Sequence, residues 1–319
     1  MRLSLAAAGA ALAASLLCLP AAAFDLQGHR GARGLAPENT LPAFERALSV
    51  GVTTLELDVG VTADGVVVVS HDPVLNPAFT RAADGRWLAG RGPRIKDLGF
   101  AQLQAFDVGR IAPDSAYAKA FPDQQPADGA RIPSLEQVFA RVRELGAQQV
   151  RFNIETKVSE DSVDPAAMTD ALLAVVRAAG LRDRVTIQSF DWRTLRRVQQ
   201  LEPGLPTAYL TVQTANSDNT RDLTATAGFK LAEHGSVPRM VKAAGGSTWS
   251  PNAGALTQAL VDEAHALGLR VLPWTVNEPE AMERLVGWGV DGIITDRPDR
   301  LRAVLERRGI ALPPPLPGR

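Results

Sequence analysis

The 319-residue chain carries one cysteine, four histidines and almost no net charge, with 34 Lys and Arg against 35 Asp and Glu. A lone cysteine has no partner, which excludes a disulfide scaffold. That residue, Cys18, falls in an apolar leader, so a thiol nucleophile and a cysteine metal site are excluded from the remainder. A net charge of −1 gives no general attraction to nucleic acid or to an anionic membrane. Any phosphate must therefore be met locally. The composition, 45% hydrophobic and 22% charged, excludes a disordered or collagen-like chain and is ample for a large core.

Met1-Arg2 is followed by an apolar run over residues 3–19 and then by Ala21-Ala22-Ala23. This reads as a secretory signal peptide cleaved after Ala23, since about 17 apolar residues sit at the short limit for a spanning helix. A lipid-attachment site at Cys18 is disfavoured by Leu17, which stands where a small residue is usual. The expected destination is the bacterial periplasm, with no stable membrane insertion. Removing Arg2 and no acid leaves 33 basic against 35 acidic residues.

Short β-branched runs then alternate with amphipathic stretches, a pattern that predicts parallel strands with crossover helices. Strands are expected over residues 26–30, 53–59, 150–156, 185–189, 207–211, 247–250, 270–275 and 291–295. Helices are expected over 41–50, 165–179, 192–201, 255–267 and 280–288, among others. Eight such units in a chain of this length predict an α/β fold, a (β/α)8 TIM barrel forming one domain over 24–319. Residues 66–70 form a ninth strand candidate, joined to 53–59 by Thr62-Ala63-Asp64-Gly65, too short a link for a parallel crossover and hence a hairpin. An insertion over about 72–133 has weak periodicity apart from a short helix near 100–106. Its aromatics Trp87, Phe100, Phe106, Tyr117 and Phe121 are expected to shape a lid over the leaving group. The proline-rich tail, 312–319, is expected to fray.

In Thr54-Leu55-Glu56-Leu57-Asp58-Val59 the apolar residues share one face and Glu56 and Asp58 share the other. In a barrel the apolar face meets the helices, so two carboxylates point inward, at a cost unless a cation or protons offset them. Likewise Phe152 and Ile154 face outward while Asn153, Glu155 and Lys157 face inward. Glu56, Asp58 and Glu155 make a plausible oxygen shell for one hard divalent ion, Mg2+ or Ca2+. The absence of sulfur and of a histidine pair among these donors disfavours structural zinc. His29 and His71 fall at strand ends beside these acids, where imidazole can give and take protons near neutral pH. His234 and His265 read as ordinary residues. Gln188 should point inward, either to substrate or as a satisfied interior group. Trp274 and Phe190 fall near strand ends, where they either wall a ligand or fill core. Glu38-Asn39-Thr40 precedes a helix; Asn39 or Thr40 caps it, or Glu38 steadies Arg30 or a metal ligand.

The blocks His29-Arg30-Gly31-Ala32-Arg33-Gly34-Leu35-Ala36-Pro37-Glu38-Asn39-Thr40-Leu41, Glu56-Leu57-Asp58-Val59, Asp64-Gly65 and Val69-Ser70-His71-Asp72 resemble the signature of the glycerophosphodiester phosphodiesterase family. Ile154-Glu155-Thr156-Lys157, Gln188-Ser189-Phe190, Trp274-Thr275-Val276-Asn277 and Asp291-Gly292-Ile293-Ile294-Thr295-Asp296-Arg297-Pro298 extend the resemblance over about residues 27–300. It implies a barrel enzyme that uses a divalent metal to cleave a small-molecule glycerophosphodiester to sn-glycerol 3-phosphate and an alcohol. It further implies His29 and His71 as the acid/base pair, Glu56, Asp58 and Glu155 as metal ligands, Arg30 and Lys157 as phosphate-facing cations, and Trp274 as a wall beside the glycerol. Arg297 stands where the family often has an aromatic residue, and the insertion matches no motif.

The nucleophile is either water or the glycerol 2-hydroxyl, which would pass through a cyclic phosphate; the tethered hydroxyl avoids an entropy loss. Competing readings are a lysophospholipase D, which needs an apolar groove for an acyl chain, and a catalytically silent barrel that binds phosphodiesters. A silent barrel has no physical need to keep inward charges together. Head-group preference and oligomeric state leave no mark in the sequence.

Overall fold

The computed structural model describes residues 24–316, so the leader and the last three residues of the tail lie outside the described residues. The chain begins with β1 (Asp25–Gly28), α1 (Leu41–Val50), β2 (Thr54–Val61) and β3 (Val67–Val69). The insertion contributes α2 (Phe100–Leu103) and α3 (Ala116–Ala120), and α4 (Leu135–Glu144) follows it. The alternation then continues with β4 (Arg151–Thr156), α5 (Pro165–Ala179), β5 (Val185–Ser189), α6 (Trp192–Leu201) and β6 (Thr207–Thr211). After α7 (Leu231–His234) and α8 (Val237–Ala243) come β7 (Thr248–Pro251), α9 (Gln258–Ala266), β8 (Arg270–Val271), α10 (Pro279–Gly287), β9 (Gly292–Thr295) and α11 (Pro298–Arg307).

Eight parallel strands run in the order β8-β7-β6-β5-β4-β2-β1-β9, and β3 pairs antiparallel with β2 as a hairpin. The ring closes between its two end strands: Asp291 N–H donates to Val271 O at 3.0 Å, Ile294 N–H to Pro273 O at 3.0 Å, and Val276 N–H to Ile294 O at 3.1 Å. The expected strand 270–275 is regular only over Arg270–Val271 because Pro273 has no N–H to give a ladder. Closure explains why the strands bury both faces: Leu55, Leu57, Phe152, Ile154 and Ile187 pack outward under the helices, each side chain contributing about 1.5–3 kcal/mol.

Local sequence fixes the helix ends. Thr40 caps α1, accepting from Ala43 N–H, and Gly51 ends it in the left-handed conformation at φ 84°. Ser134 and Gln137 form a reciprocal capping box on α4.

The insertion is a small folded unit with its own core, where Leu75, Ile95, Leu103, Val108 and Ile132 gather around Val68 of the hairpin. Phe100 and Phe106 pack against that core, so they form no lid. The tail also departs from expectation. Leu312 and Leu316 pack on the main core, Leu316 N–H donates to Leu48 O at 3.1 Å, and Arg302 Nη1 donates to Pro313 O at 2.9 Å. Arg302 also reaches Val50 O and Gly51 O, so one guanidinium ties the tail to the C-terminal end of α1. Stiff prolines lose little entropy when so held. None of the helices among the described residues is long and apolar enough to cross a membrane.

Candidate active site

The strand register brings the inward acids together. Asp58 on β2 lies beside Glu155 on β4, which lies beside Gln188 on β5, and Glu56 lies beside Asn153. One oxygen from each of Glu56, Asp58 and Glu155 falls within 4.8 Å of the others, and all three residues are buried. His29, Arg30, His71, Lys157, Gln188, Phe190 and Trp274 join Glu56 and Glu155 around one cavity of about 210 Å³ at the C-terminal ends of the strands. Asp58 lies beneath, with its Oδ1 at 3.3 Å from Lys157 Nζ.

The loop after β1 is shaped to serve these acids. Arg30 takes φ 50° and Asn39 φ 54°, both left-handed and, for Arg30, costly. In that conformation Arg30 N–H donates to Glu56 Oε2 at 2.8 Å. Gly31, at φ 84°, lies so close to α1 that a Cβ would come within 2.7 Å of the Ala43 carbonyl carbon. Asn39 Nδ2 donates to Asp58 Oδ2 at 2.8 Å, so Asn39 holds an acid while Thr40 caps the helix. Arg30 Nη1 donates to Glu38 Oε1 at 2.8 Å, which decides Glu38 as the residue steadying Arg30.

Gln188 Nε2 donates to Glu56 Oε1 at 2.7 Å, and its Oε1 accepts from Asn153 Nδ2 at 2.8 Å, so Gln188 is itself satisfied and holds an acid, in a chain whose Asn153 Oδ1 is buried without a partner. Lys157 Nζ donates to Glu155 Oε1 at 2.7 Å. Phe190 and Trp274 meet edge to face with centroids 5.3 Å apart, and Trp274 Nε1 is fixed on Ser250 O at 2.9 Å.

Burial pushes the Glu56 carboxyl well above its ordinary range, and the charges of Asp58 and Glu155 push it further. Burial also opposes charge on Asp58, but Lys157, His71 and Arg30 outweigh it and hold that carboxyl below the usual carboxylate range. Burial raises the Glu155 carboxyl, opposed by Lys157. Burial alone would lower the Lys157 ammonium; Glu155 and Asp58 raise it instead. Burial and the neighbouring Arg33 charge lower the His29 imidazole to about 3, against the pull of Asp296.

Five carboxylates, Glu38, Glu56, Asp58, Glu155 and Asp296, thus face three cations, Arg30, Arg33 and Lys157. The imbalance is the charge of one divalent ion, and Asp58 Oδ1 is buried without a hydrogen-bond donor. An all-oxygen donor set, in which Asp58 Oδ1 takes no hydrogen bond and is met only by the Lys157 charge at 3.3 Å, suits a hard cation, so these three acids could hold one.

Several residues of the site went unassigned in the sequence. Each histidine has its own carboxylate: His29 Nδ1 lies 2.6 Å from Asp296 Oδ1, and His71 Nδ1 lies 2.7 Å from Asp72 Oδ1. Arg33 and Asn277 also went unread, and Asn39 was read only as a possible helix cap. The one available signal was position, since Asp296 directly follows the last strand. A second, open groove of about 800 Å³ runs from His71 along Lys157, Ser159, Asp164, Asp191, Arg193 and Asp222. From the insertion only Asp72 and Pro73 line it, so the expected aromatic lid over a leaving group is absent there. Tyr117 and Phe121 pack against each other at a tilt, with Phe121 lying under the Arg33 guanidinium, and Trp87 packs under Arg81.

A parallel barrel whose strand ends gather acids, imidazoles and cations around one small cavity suits acid/base chemistry on an anionic substrate such as a phosphate ester. The profile of the glycerophosphoryl diester phosphodiesterase family matches residues 29–300. A glycerophosphodiester phosphodiesterase of Bacillus subtilis is 31% identical over 285 residues, covering 86% of this chain and 84% of that protein. A solved structure from Silicibacter pomeroyi, assigned to the glycerophosphoryl diester phosphodiesterases, is 38% identical with a TM-score of 0.82, covering 91% of this chain and 96% of that one. The fold is shared too by an Oleispira antarctica phosphodiesterase solved with its product sn-glycerol-3-phosphate, at 22% identity and a TM-score of 0.66, covering 88% and 96% of the two chains. The chain belongs to the glycerophosphoryl diester phosphodiesterase family, and is a phosphoric diester hydrolase.

Proposed function

We propose that the enzyme hydrolyses glycerophosphodiesters with polar head groups, such as glycerophosphocholine or glycerophosphoethanolamine, to sn-glycerol 3-phosphate and the alcohol, with His29 and His71 exchanging the protons. The observation that carries it is the joint presence of both imidazoles, Arg30, Lys157 and the acids at one cavity of about 210 Å³. Glu56, Asp58 and Glu155 hold one Mg2+ or Ca2+, which when bound supplies Lewis-acid neutralisation of the phosphate charge. Arg30 and Lys157 bind the nonbridging oxygens and counter charge developing at phosphorus. With its Nδ1 engaged by a carboxylate, each histidine keeps Nε2 for the reaction, one to take the proton of the nucleophile and one to protonate the leaving oxygen. Phe190 and Trp274 pack the glycerol carbons and exclude water from that side.

The groove beyond His71 takes the leaving group. Its walls carry the charges of Asp164, Asp191 and Asp222 with Lys157 and Arg193 between apolar stretches at Val158, Val163 and Phe190, and those charges are met better by a hydrophilic or cationic alcohol than by the acyl chain of a lysophospholipid. The Ala-rich leader supports export to the periplasm, where small deacylated head-group esters would be the substrates.

The test is release of sn-glycerol 3-phosphate from glycerophosphocholine, with and without chelator, beside His29→Ala and Glu56→Gln. Metal-dependent release that both substitutions abolish is expected. Turnover of lysophosphatidylcholine but not glycerophosphocholine would overturn the substrate class, and no release with any divalent ion would overturn the activity.

A further inference from the structure

Asp296 is buried at the C-terminal end of β9, and donors surround it. Its Oδ1 receives Arg33 Nε at 2.9 Å and faces His29 Nδ1 at 2.6 Å. Its Oδ2 receives Arg33 Nη2 at 3.0 Å and Asn277 Nδ2 at 2.7 Å. Its own backbone N–H donates to Asn277 Oδ1 at 2.9 Å, so the carboxylate cannot swing. A carboxylate gripped bidentately by a guanidinium is ionised and accepts only, which places the imidazole proton on Nδ1. The unprotonated Nε2 of His29 is then left facing the cavity, 4.0 Å from Glu56 Oε2.

The fork that grips Asp296 is itself held by the insertion. The Phe121 ring lies 4.6 Å from the Arg33 guanidinium carbon, Tyr117 Oη lies 3.5 Å from Arg33 Nη1, and Gln124 Nε2 donates to the Arg33 carbonyl at 2.7 Å. Asp123 pairs with Arg297, the residue next to Asp296, at 2.6 Å. His71 has no comparable support: Asp72 is held by Asn76 alone, and its side chain is 28% exposed.

We propose that Asp296 and Arg33 are positioning residues that fix the tautomer and rotamer of His29, and that the insertion acts on catalysis through Phe121 and Arg33 rather than by covering the leaving group. This rests on the diesterase reading above only for its kinetic arm. An interaction made with the reacting group, and not with bound substrate, should lower kcat and leave KM in place.

The experiment compares wild type with Asp296→Asn, Arg33→Lys and Phe121→Leu. Turnover of glycerophosphocholine is measured alongside long-range 1H–15N spectra of the four histidines, with His29 assigned from His29→Gln. Wild-type His29 should carry its proton on Nδ1. Asp296→Asn should shift His29 toward the Nε2–H tautomer and lower kcat at least tenfold, with KM and divalent-ion affinity within threefold. Arg33→Lys keeps the charge without the fork and should give a mixed tautomer with kcat down severalfold; Phe121→Leu should lower kcat at least twofold. If Asp296→Asn does not fold, Arg33→Lys decides. A wild-type His29 protonated on Nε2 would overturn the positioning of His29. Wild-type kcat and His29 spectrum in Arg33→Lys would do the same, and wild-type kcat in Phe121→Leu would overturn the insertion's part. Absence of wild-type turnover would instead strike the diesterase reading, while the spectra still decide the tautomer.

Discussion

Asn39 and Asp58 hold each other by a reciprocal pair, the Asn39 amide donating to Asp58 Oδ2 at 2.8 Å and the Asp58 backbone N–H reaching back to Asn39 Oδ1 at 3.4 Å. The pair forms only because Asn39 is left-handed, at φ 54°, a conformation asparagine tolerates better than most residues. A buried carboxylate is thereby aimed before any ion arrives, which lowers the cost of binding one.

Asn39→Ala should therefore cost about 1–3 kcal/mol of stability, from the strained φ and the lost hydrogen bond. It should also weaken divalent-ion binding about 10–100-fold. Asn39→Gly, which accepts the same φ but also lacks the amide, should recover only the strain part of the loss, about 1 kcal/mol, and none of the affinity. Denaturant melts and calorimetric titration with Mg2+ and Ca2+ separate the two effects, and equal affinity losses without any stability gap would refute the role of the backbone conformation.

The charge imbalance at the strand ends makes a prediction about stability without metal. Burial and like charges already press Glu56 toward its protonated form, so Glu56→Gln should melt at or above wild type when chelator is present. With a divalent ion at 100 times its Kd, wild type should gain about 2.7 kcal/mol, or about 5–10 °C, and the variant almost nothing. Thermal melts in chelator and in metal check both halves; a metal-free variant several degrees below wild type would mean that Glu56 stabilises the fold as a charged group.

Tyr209 offers a pH test away from the acids. Its ring packs edge to face on Trp192, its hydroxyl donates to Ala244 O at 2.8 Å, and burial pushes its pKa up to about 12. The unfolded chain would lose this proton near pH 10, about two units earlier, so the contribution is full below pH 10 and is lost as pH rises toward 12. Tyr209→Phe should remove that part of the alkaline slope while costing about 1 kcal/mol at neutral pH for the lost hydrogen bond. Denaturant melts at pH 8, 10 and 11.5 read the slope, and an unchanged slope in the variant would place the sensitive group elsewhere.

What the sequence disclosed depended on range. Period-two alternation is local, so the inward direction of Glu56, Asp58, Asn153 and Glu155 was legible, and barrel closure turned that direction into convergence. The partner of His29 was not legible, because Asp296 stands 267 residues away and meets it only when β9 returns beside β1. Asn39 stayed one of two possible caps for a different reason: asparagine before a helix suits a cap as well as Thr40 does, and only the left-handed φ and the contact with Asp58 show that it serves the acid. The aromatics of the insertion had no periodicity to say which way they face. Phe100 and Phe106 fill a second core, and Phe121 meets a cation on the barrel.

Trp274 allows ground-state binding to be told apart from chemistry. Its indole is anchored at Nε1 on the Ser250 carbonyl and stands perpendicular to Phe190, so its position is set before substrate enters. A rigid apolar wall against glycerol carbons binds substrate and transition state alike, and such uniform binding acts on KM rather than kcat. Burying that much carbon is worth about 1–2 kcal/mol, which corresponds to about a 5–30-fold rise in KM for Trp274→Ala with kcat within threefold. Trp274→Phe keeps an aromatic face, though a smaller one, and loses the anchor, so its KM should stay within about fivefold of wild type. Steady-state kinetics on glycerophosphocholine and on a diester without glycerol complete the comparison. Only the glycerol substrate should feel the change, and equal losses on both would assign Trp274 to core packing.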